Sequence, residues 1–188
     1  MRTYGWILAA LWLGWLGYWI ASSIGVKAVA RRQSWQSRFA YSAPLWVAAV
    51  LLVSPSLPGF PSERFLPNDA SIVLIGVLLT AAGLGFAIWA RFHLGGNWSA
   101  EVTVKHDHEL VGTGPYALAR HPIYTGLLLA FVGTAAAVGE WRAPIAAIIA
   151  GLSFWYKLGL EERLMVETFG ARYEEYRRRV KALIPFVV

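Results

Sequence analysis

Long apolar runs alternate with short polar stretches along this chain, and the lengths of the runs give the first prediction. The runs fall at about residues 4–24, 39–54, 70–90, 123–138 and 143–160. A helix needs about 20 apolar residues to cross the hydrocarbon core of a bilayer, with about 17 as a lower limit. The first and third runs are long enough, whereas the second and fourth are short. Residues 139–142 are all that separates the last two runs, so we predict that these form a helical hairpin.

This pattern predicts an all-α fold, a polytopic membrane helix bundle with about five transmembrane segments. Composition agrees, because 57% of the residues are hydrophobic and 15% are charged, which is too apolar for a soluble domain of this size. The first run is too long for a signal-peptide core and lacks a clear cleavage site, so we expect it to be retained. The Pro-rich stretch at residues 54–63 joins helices of one bundle, and residues 1–188 are therefore interpreted as a single domain.

Basic residues concentrate in the stretches that would share one side of the membrane. They are Lys27, Arg31, Arg32, Arg38, Arg91, Lys105, Arg120, Lys157, Arg163, Arg172, Arg177, Arg178, Arg179 and Lys181. Arg2, Arg64 and Arg142 fall on the other side. The positive-inside rule then predicts an N-terminus outside and a C-terminus in the cytosol. Orientation and attraction to anionic lipid account for most of these charges, and we predict no nucleic-acid partner.

Several kinds of chemistry are disfavoured by the sequence. The chain has no cysteine, which excludes disulfides, thiolate metal sites and a cysteine nucleophile. His106, Asp107 and His108 are consecutive and lack a clear fourth ligand, so we predict no metal site. No glycine-rich phosphate-binding loop is present.

Two polar regions share the predicted cytosolic side, the loop at residues 91–122 and the tail at residues 157–188. The loop contains a glycine- and proline-rich turn followed by Arg120-His121-Pro122, where Pro122 is suited to the first turn of the fourth helix. In the tail, Lys157 and Glu161 stand four residues apart and would share a helix face. Glu162 points elsewhere and could pair with Arg163 or Arg120.

The end of the tail is interpreted more simply. Gly170 interrupts a helical pattern and is predicted to separate two helices. From Ala171 onward, apolar residues recur at helical spacing opposite a charged face, and we favour a surface amphipathic helix there.

Taken together, the motifs of the second half resemble the isoprenylcysteine carboxyl methyltransferase family. The similar stretches are His108-Glu-Leu-Val111, the run Gly114-Pro-Tyr-Ala-Leu-Ala-Arg-His-Pro-Ile-Tyr-Thr-Gly126, Glu161-Glu162, Phe169-Gly-Ala-Arg-Tyr-Glu-Glu-Tyr176 and Ile184-Pro185. The resemblance covers about residues 97–188, and its specificity lies in the ordered combination of motifs. Residues before 97 share the hydropathy plan alone.

The resemblance implies an integral membrane enzyme that transfers a methyl group from S-adenosylmethionine and releases S-adenosylhomocysteine. Its cofactor pocket would be built from residues 97–126 and 157–188. The implied cofactor-binding residues are His108, Glu109, Leu110, Val111, Tyr116, His121, Pro122, Ile123, Tyr124 and Glu161. In the family an arginine four residues before the glutamate contacts the substrate, and this chain has Lys157 there. Lys157 keeps the charge and Arg120 could supply a guanidinium fork, so both are candidate catalytic residues.

The implied acceptor is a lipophilic or lipidated molecule that enters from the bilayer, first of all the carboxylate of an isoprenylated cysteine or a similar amphiphile. Such an in-line transfer needs alignment and exclusion of water more than acid–base chemistry. One alternative is N-methylation of a phospholipid amine head group, for which His121 or His108 is the candidate base. Another is a non-catalytic lipid-binding or scaffold membrane protein.

Overall fold

Six α-helices make up most of the part of the chain that the computed structural model describes, which is residues 3–24, 29–32, 34–54, 57–98, 103–105 and 110–184. The helices are α1 (Thr3–Ser22), α2 (Trp35–Val53), α3 (Ala70–Leu94), α4 (Pro122–Val138), α5 (Arg142–Phe169) and α6 (Ala171–Arg179). The first five correspond to the five predicted apolar runs, and the all-α fold class is confirmed. Short 3₁₀ helices lie at Phe60–Ser62, Gly95–Asn97 and Gly114–Ala117.

Polar and glycine residues set the helix ends. Asp69 caps α3, its side chain accepting hydrogen bonds from the backbone N–H groups of Ser71 and Ile72. Pro122 begins α4 in its first turn, as predicted, where its missing N–H costs nothing. Gly170, with a φ of 53°, ends α5 and precedes α6, so the predicted break between two helices is confirmed.

The helices α3 and α4 pack together through glycines in close contact. A Cβ added to Gly83 would lie 2.5 Å from the carbonyl oxygen of Gly126, and one added to Gly76 would lie 2.5 Å from the backbone nitrogen of Ala137. Small residues at a helix interface allow backbones to approach closely in membranes. Gly76 and Gly83 therefore allow α3 and α4 to approach closely, whereas a Cβ at Gly85 would meet no atom within 4 Å.

The helix α1 packs on α3 and α4, and one stripe of its tryptophans contacts α4 and Trp98. Trp12 donates its indole N–H to the Thr134 hydroxyl at 3.1 Å, and its ring lies edge-on to Phe131 with centroids 5.3 Å apart. Trp19 makes a similar edge contact with Trp98. The stripe thus faces helices of the bundle.

The helix α2 runs antiparallel to α5. Near its interior Pro44, the Ser153 hydroxyl of α5 donates to the Tyr41 carbonyl at 2.5 Å. At the other end the Arg142 guanidinium donates to three carbonyls at the end of α2, those of Leu51, Leu52 and Ser54. Arg142 therefore caps α2, because it pairs carbonyl groups that have no hydrogen-bond partner within the helix.

Three helices are long and apolar enough to cross a membrane by length and composition, at Tyr4–Ser22, Ala70–Asn97 and Arg142–Phe169. The helix α4 has 17 residues and is shorter than these. Chain direction alternates from α2 to α5, so the connections at residues 54–69 and 139–141 share one end of the bundle. We call the opposite end, which carries Ser22, Leu94, His121 and Phe169, the loop-rich end.

One small element lies outside the prediction. Residues Val29–Arg32 (β1) and Thr103–Lys105 (β2) form a two-stranded antiparallel pairing, with Val29 opposite Lys105 and Arg32 opposite Thr103. The third helix also runs further than the predicted residue 90. Arg91, expected in the loop, is a buried residue of α3 with its guanidinium 4.3 Å over the Trp98 ring.

Candidate active site

A large cavity of about 1460 Å³ runs along the bundle and ends at the loop-rich end. Most of its wall is apolar and aromatic, contributed by α1, α2 and α4, with Trp15, Leu45 and Phe131 among the lining residues. One group of titratable side chains lies at the loop-rich end, where α4 begins and α5 ends, and we call this the polar end. A second group, Arg64, Glu140 and Arg142, lines the cavity at the opposite end, where Arg142 pairs with Glu140. The cavity therefore combines a space for an apolar chain with a polar end, an arrangement that small-molecule sites commonly share.

Glu161 is the central polar group of that end. Its Oε1 accepts a hydrogen bond from the Tyr124 hydroxyl at 2.6 Å and lies 3.8 Å from the Lys157 ammonium. Its Oε2 lies 3.4 Å from His121 Nδ1. The predicted pairing of Lys157 with Glu161 across one helical turn is therefore confirmed.

Aromatic rings surround this cluster. The His121 and Tyr124 rings stack with centroids 5.7 Å apart, and Tyr124 stacks in turn on Phe154 at 5.0 Å. The Lys157 ammonium lies 5.0 Å from the Tyr41 ring centroid and 5.6 Å from that of Tyr124. Ring faces attract cations, so this end of the cavity is suited to positively charged groups.

Glu162 points away from Glu161 and joins the start of α4 to α6. Its carboxylate is buried and accepts from Arg120 Nε at 2.6 Å, His121 Nε2 at 3.2 Å and the Tyr173 hydroxyl at 3.2 Å. Its second oxygen lies 3.1 Å from Arg177 Nε. Of the two partners proposed from the sequence, Arg120 is the one found.

The last helix differs from the surface helix that the sequence favours. Tyr173 and Tyr176 of α6 are 3% and 6% exposed, and the Tyr176 hydroxyl donates to the Tyr116 carbonyl at 2.5 Å. Beyond α6, the backbone N–H groups of Arg120 and His121 donate to the Lys181 and Ala182 carbonyls. The apolar face of α6 thus packs on the protein and closes the cavity, because the tyrosines find buried acceptors there.

Burial and charge shift the pKa values of several groups around this end. Burial would lower the pKa of His121, but hydrogen bonds to Glu161 and Glu162 outweigh it and raise that pKa above its usual 6.5. Burial raises the pKa of the Tyr116 phenol well above its usual range and that of Tyr176 to about 12. Both phenols therefore stay protonated at neutral pH.

The structure brings the described residues of the predicted site together. Those that line the large cavity are Leu110, Val111, Tyr116, Arg120, His121, Pro122, Ile123, Tyr124, Lys157 and Glu161. His108 and Glu109 lie outside the described residues, as do His106 and Asp107. Within the described part of the chain, no group of three or more His, Asp or Glu side chains could hold a metal ion.

The cavity also has lining residues that the sequence analysis did not select. Phe154, Leu164 and Met165 lie on the same face of α5 as Lys157 and Glu161, and all of them line the cavity. Their helical spacing was a usable signal. Trp98 and Tyr173 also line the cavity, and both fall within the ranges 97–126 and 157–188 that the resemblance assigned to the pocket, although neither was selected as a site residue.

The fold and the site define a class, that of helical membrane proteins with an apolar cavity closed at one end by a polar cluster. The family model described as phospholipid methyltransferase matches residues 71–172, more than half of the chain. The chain therefore belongs to the phospholipid methyltransferase family.

Named relatives agree with the resemblance found in the motifs. The chain is 29% identical to protein-S-isoprenylcysteine O-methyltransferase B of Arabidopsis thaliana, over 69% of this chain and 64% of the relative. It is 32% identical to the Saccharomyces cerevisiae protein-S-isoprenylcysteine O-methyltransferase, over 61% of this chain and 49% of the relative. It is 33% identical to the Rattus norvegicus protein-S-isoprenylcysteine O-methyltransferase, over 58% of this chain and 42% of the relative. The predicted resemblance is thereby confirmed, and this chain spans less than two thirds of the length of each of these relatives.

Proposed function

We propose that this protein transfers a methyl group from S-adenosylmethionine to a lipophilic acceptor held in the membrane, first of all the carboxylate of an isoprenylated cysteine or a similar amphiphile. The observation that carries the proposal is the large cavity, which has Lys157 and Glu161 at its polar end and an apolar length beyond them. The family match and the names of the relatives support the same reaction class.

The residues at the polar end fit the cofactor. A carboxylate can accept about four hydrogen bonds, and Glu161 receives one from Tyr124 and faces His121 and Lys157, so acceptor capacity remains for a ribose hydroxyl or an ammonium group. The ring faces of Tyr116 and Tyr124 suit an adenine ring or a cationic centre. S-adenosylmethionine, when bound, supplies an activated methyl group on a sulfonium.

In the proposed reaction, Lys157 orients the acceptor. Its ammonium lines the cavity between the Tyr41 and Tyr124 rings, where it can attract an acceptor carboxylate. A carboxylate is already a nucleophile at neutral pH, so this chain needs to align it and exclude water. Arg120, the second candidate, is held by Glu162 and by the Val180 carbonyl at 2.5 Å, and we propose that it orders the site without contacting the acceptor.

The state of His121 favours a carboxylate acceptor over an amine. Both ring nitrogens face carboxylates, Nδ1 at 3.4 Å from Glu161 and Nε2 at 3.2 Å from Glu162. Both nitrogens can donate only when the ring is protonated, and the raised pKa of His121 agrees with that state. A protonated imidazole cannot take the proton that an amine acceptor must lose.

The apolar length of the cavity suits the tail of the acceptor. Lining residues of α1 extend from Tyr4 to Trp19, a rise of about 22 Å along the helix. One wall belongs to α1, which packs on α3 and α4, and another to α2, which packs on α5. We propose that the tail enters sideways from the bilayer between α1 and α2.

We further propose that the loop-rich end faces the cytosol, with the N-terminus outside. The basic residues of the α5–α6 region, Arg163, Arg172, Arg177, Arg178, Arg179 and Lys181, all lie toward this end, and positive residues favour the cytosolic side. A water-soluble cofactor would then reach the site from the cytosol while the acceptor stays in the leaflet.

An assay with two acceptors tests the proposed function. The purified protein in phosphatidylcholine nanodiscs is given methyl-labelled cofactor with either an S-farnesylated cysteine bearing a free carboxylate or phosphatidylethanolamine. Label in an alkali-labile ester of the first acceptor is the expected result. Alkali-stable label in the second would favour the amine alternative, and no transfer without any cofactor binding would favour the scaffold alternative.

A further inference from the structure

A second cavity, of about 500 Å³, lies at the loop-rich end between α5 and α6. Arg120 lines both cavities, whereas Glu162 lines this one and does not line the first. The second cavity is therefore separate from the proposed methyl-transfer site, with the Arg120–Glu162 pair between them.

The second cavity carries an excess of positive charge. Its lining includes the cations Arg120, Arg177, Arg178 and Lys181 and the carboxylates Glu162 and Glu174. Glu162 is engaged by Arg120 and Arg177, and Glu174 lies 3.2 Å from Arg177. Arg178 and Lys181 form no ion pair with any residue that the structure describes. Two cations at the rim are thus left to face an anion from outside the chain.

The opposite wall is apolar and belongs to α5. Leu158 is buried, while Trp155 is 55% exposed on the outer surface of the helix. Trp155 precedes Glu162 by two helical turns, about 10 Å along the axis. Tryptophan side chains favour the level of the lipid head groups, so this wall lies where the cations meet the membrane surface.

We propose that the second cavity binds the head group of an anionic phospholipid. The phosphate would lie between Arg178 and Lys181, where charge-assisted hydrogen bonds are available, and the acyl chains would lie along Trp155. Arg177 contacts both Glu162 and Glu174 beside this position, so a bound lipid would hold α6 against α5. This binding does not depend on the proposed methyl transfer.

Native mass spectrometry of the detergent-solubilised protein tests this site. The protein is titrated with phosphatidylglycerol or with phosphatidylcholine of the same acyl chains, and the affinity for the first bound lipid is compared. We expect phosphatidylglycerol to bind at least tenfold more tightly. The double variant Arg178→Gln/Lys181→Gln should lose this tenfold preference for phosphatidylglycerol. Trp155→Ala should weaken phosphatidylglycerol binding several-fold.

A matched pair of substitutions separates a defined site from diffuse charge. Arg172 and Arg179 lie exposed on α6 and do not line the second cavity, so Arg172→Gln/Arg179→Gln removes the same charge and should change the affinity less than twofold. An equal loss in both double variants, or no preference for phosphatidylglycerol, would overturn the proposal. Displacement of the lipid by an equal concentration of inorganic phosphate would also overturn it, because that result defines a site for a free anion.

Discussion

Glu161 and Glu162 are neighbours in the sequence, yet their carboxylates have different surroundings. Glu161 faces the large cavity with Tyr124, Lys157 and His121 around it. Glu162 is buried among donors from α6 and from Arg120 and His121, which directly precede α4. Adjacent helical residues point about 100° apart, so one helix turn can serve a binding site with one residue and hold the fold with the next.

Glu162→Gln should destabilise the protein by about 3 kcal/mol, because it leaves the buried Arg120 and His121 without their shared anion. The free energy of unfolding in detergent measures this effect. Glu174→Gln is the matched control, since it removes an exposed carboxylate that pairs with the same Arg177, and should cost at most about 1 kcal/mol. Equal effects of the two substitutions would contradict the assigned role of Glu162.

The raised pKa of His121 predicts how the stability of the protein depends on pH. Its folded-state pKa is raised above the unfolded value of about 6.5, so its ion pairs contribute fully below that pH. The contribution is lost as pH rises through the raised folded pKa. We expect the wild type to exceed His121→Asn in unfolding temperature most strongly below about pH 6.5, and the difference to shrink toward higher pH. A difference that grows with pH would contradict the protonated state of His121.

At the scale of elements, the apolar runs predicted the five long helices, but they did not predict where the polar ends of those helices lie. The fifth run ends at residue 160, whereas α5 continues to Phe169, because its last turns pack beside α4 and α6. The length of the apolar run does not predict this extension, since those turns are polar in sequence. The helical spacing that ends at Gly170 does predict it, and the structure confirms that break. The burial of Tyr173 was not predicted, because it depends on contacts with residues that come earlier in the chain.

The contact between α3 and α4 offers a test with a control on the same helix. A Cβ at Gly83 would meet the Gly126 carbonyl and the Ala130 nitrogen, so Gly83→Ala should separate the helices and destabilise the protein by about 1–3 kcal/mol. Gly85→Ala meets no atom within 4 Å and should be neutral or slightly stabilising. Thermal unfolding of both variants measures the effects, and similar unfolding temperatures would argue against the close packing.

At the scale of the whole molecule, the site joins the two halves of the chain. The motifs after residue 97 predicted the polar end of the cavity, because local sequence carries the resemblance there. The apolar length depends on Trp15 of α1 and Leu45 of α2, whose positions follow from how the bundle packs. Hydropathy indicates that such helices exist, but it does not indicate which face lines a cavity.

This arrangement predicts control of acceptor length by the first helix. Ala9 lines the cavity away from the polar end, and Ala9→Trp should raise the KM for a long-tailed acceptor about tenfold while leaving a short-tailed analogue unchanged. The neighbouring Ala10 is exposed and does not line the cavity, so Ala10→Trp is the control. Steady-state kinetics with a pair of acceptors that differ in tail length measure this. A similar rise in KM for the long-tailed and the short-tailed acceptor would contradict the proposal that this part of the cavity holds the tail.

The central claim is that the polar end of the cavity binds the methyl-donor cofactor, and calorimetry with S-adenosylhomocysteine on the detergent-solubilised protein tests it most directly. We predict one site per chain with micromolar affinity, abolished by Glu161→Gln. Glu167→Gln, which changes an exposed carboxylate on the same helix, should leave the affinity unchanged. Absence of binding by a folded wild-type protein, or full binding by a folded Glu161→Gln variant, would contradict the account.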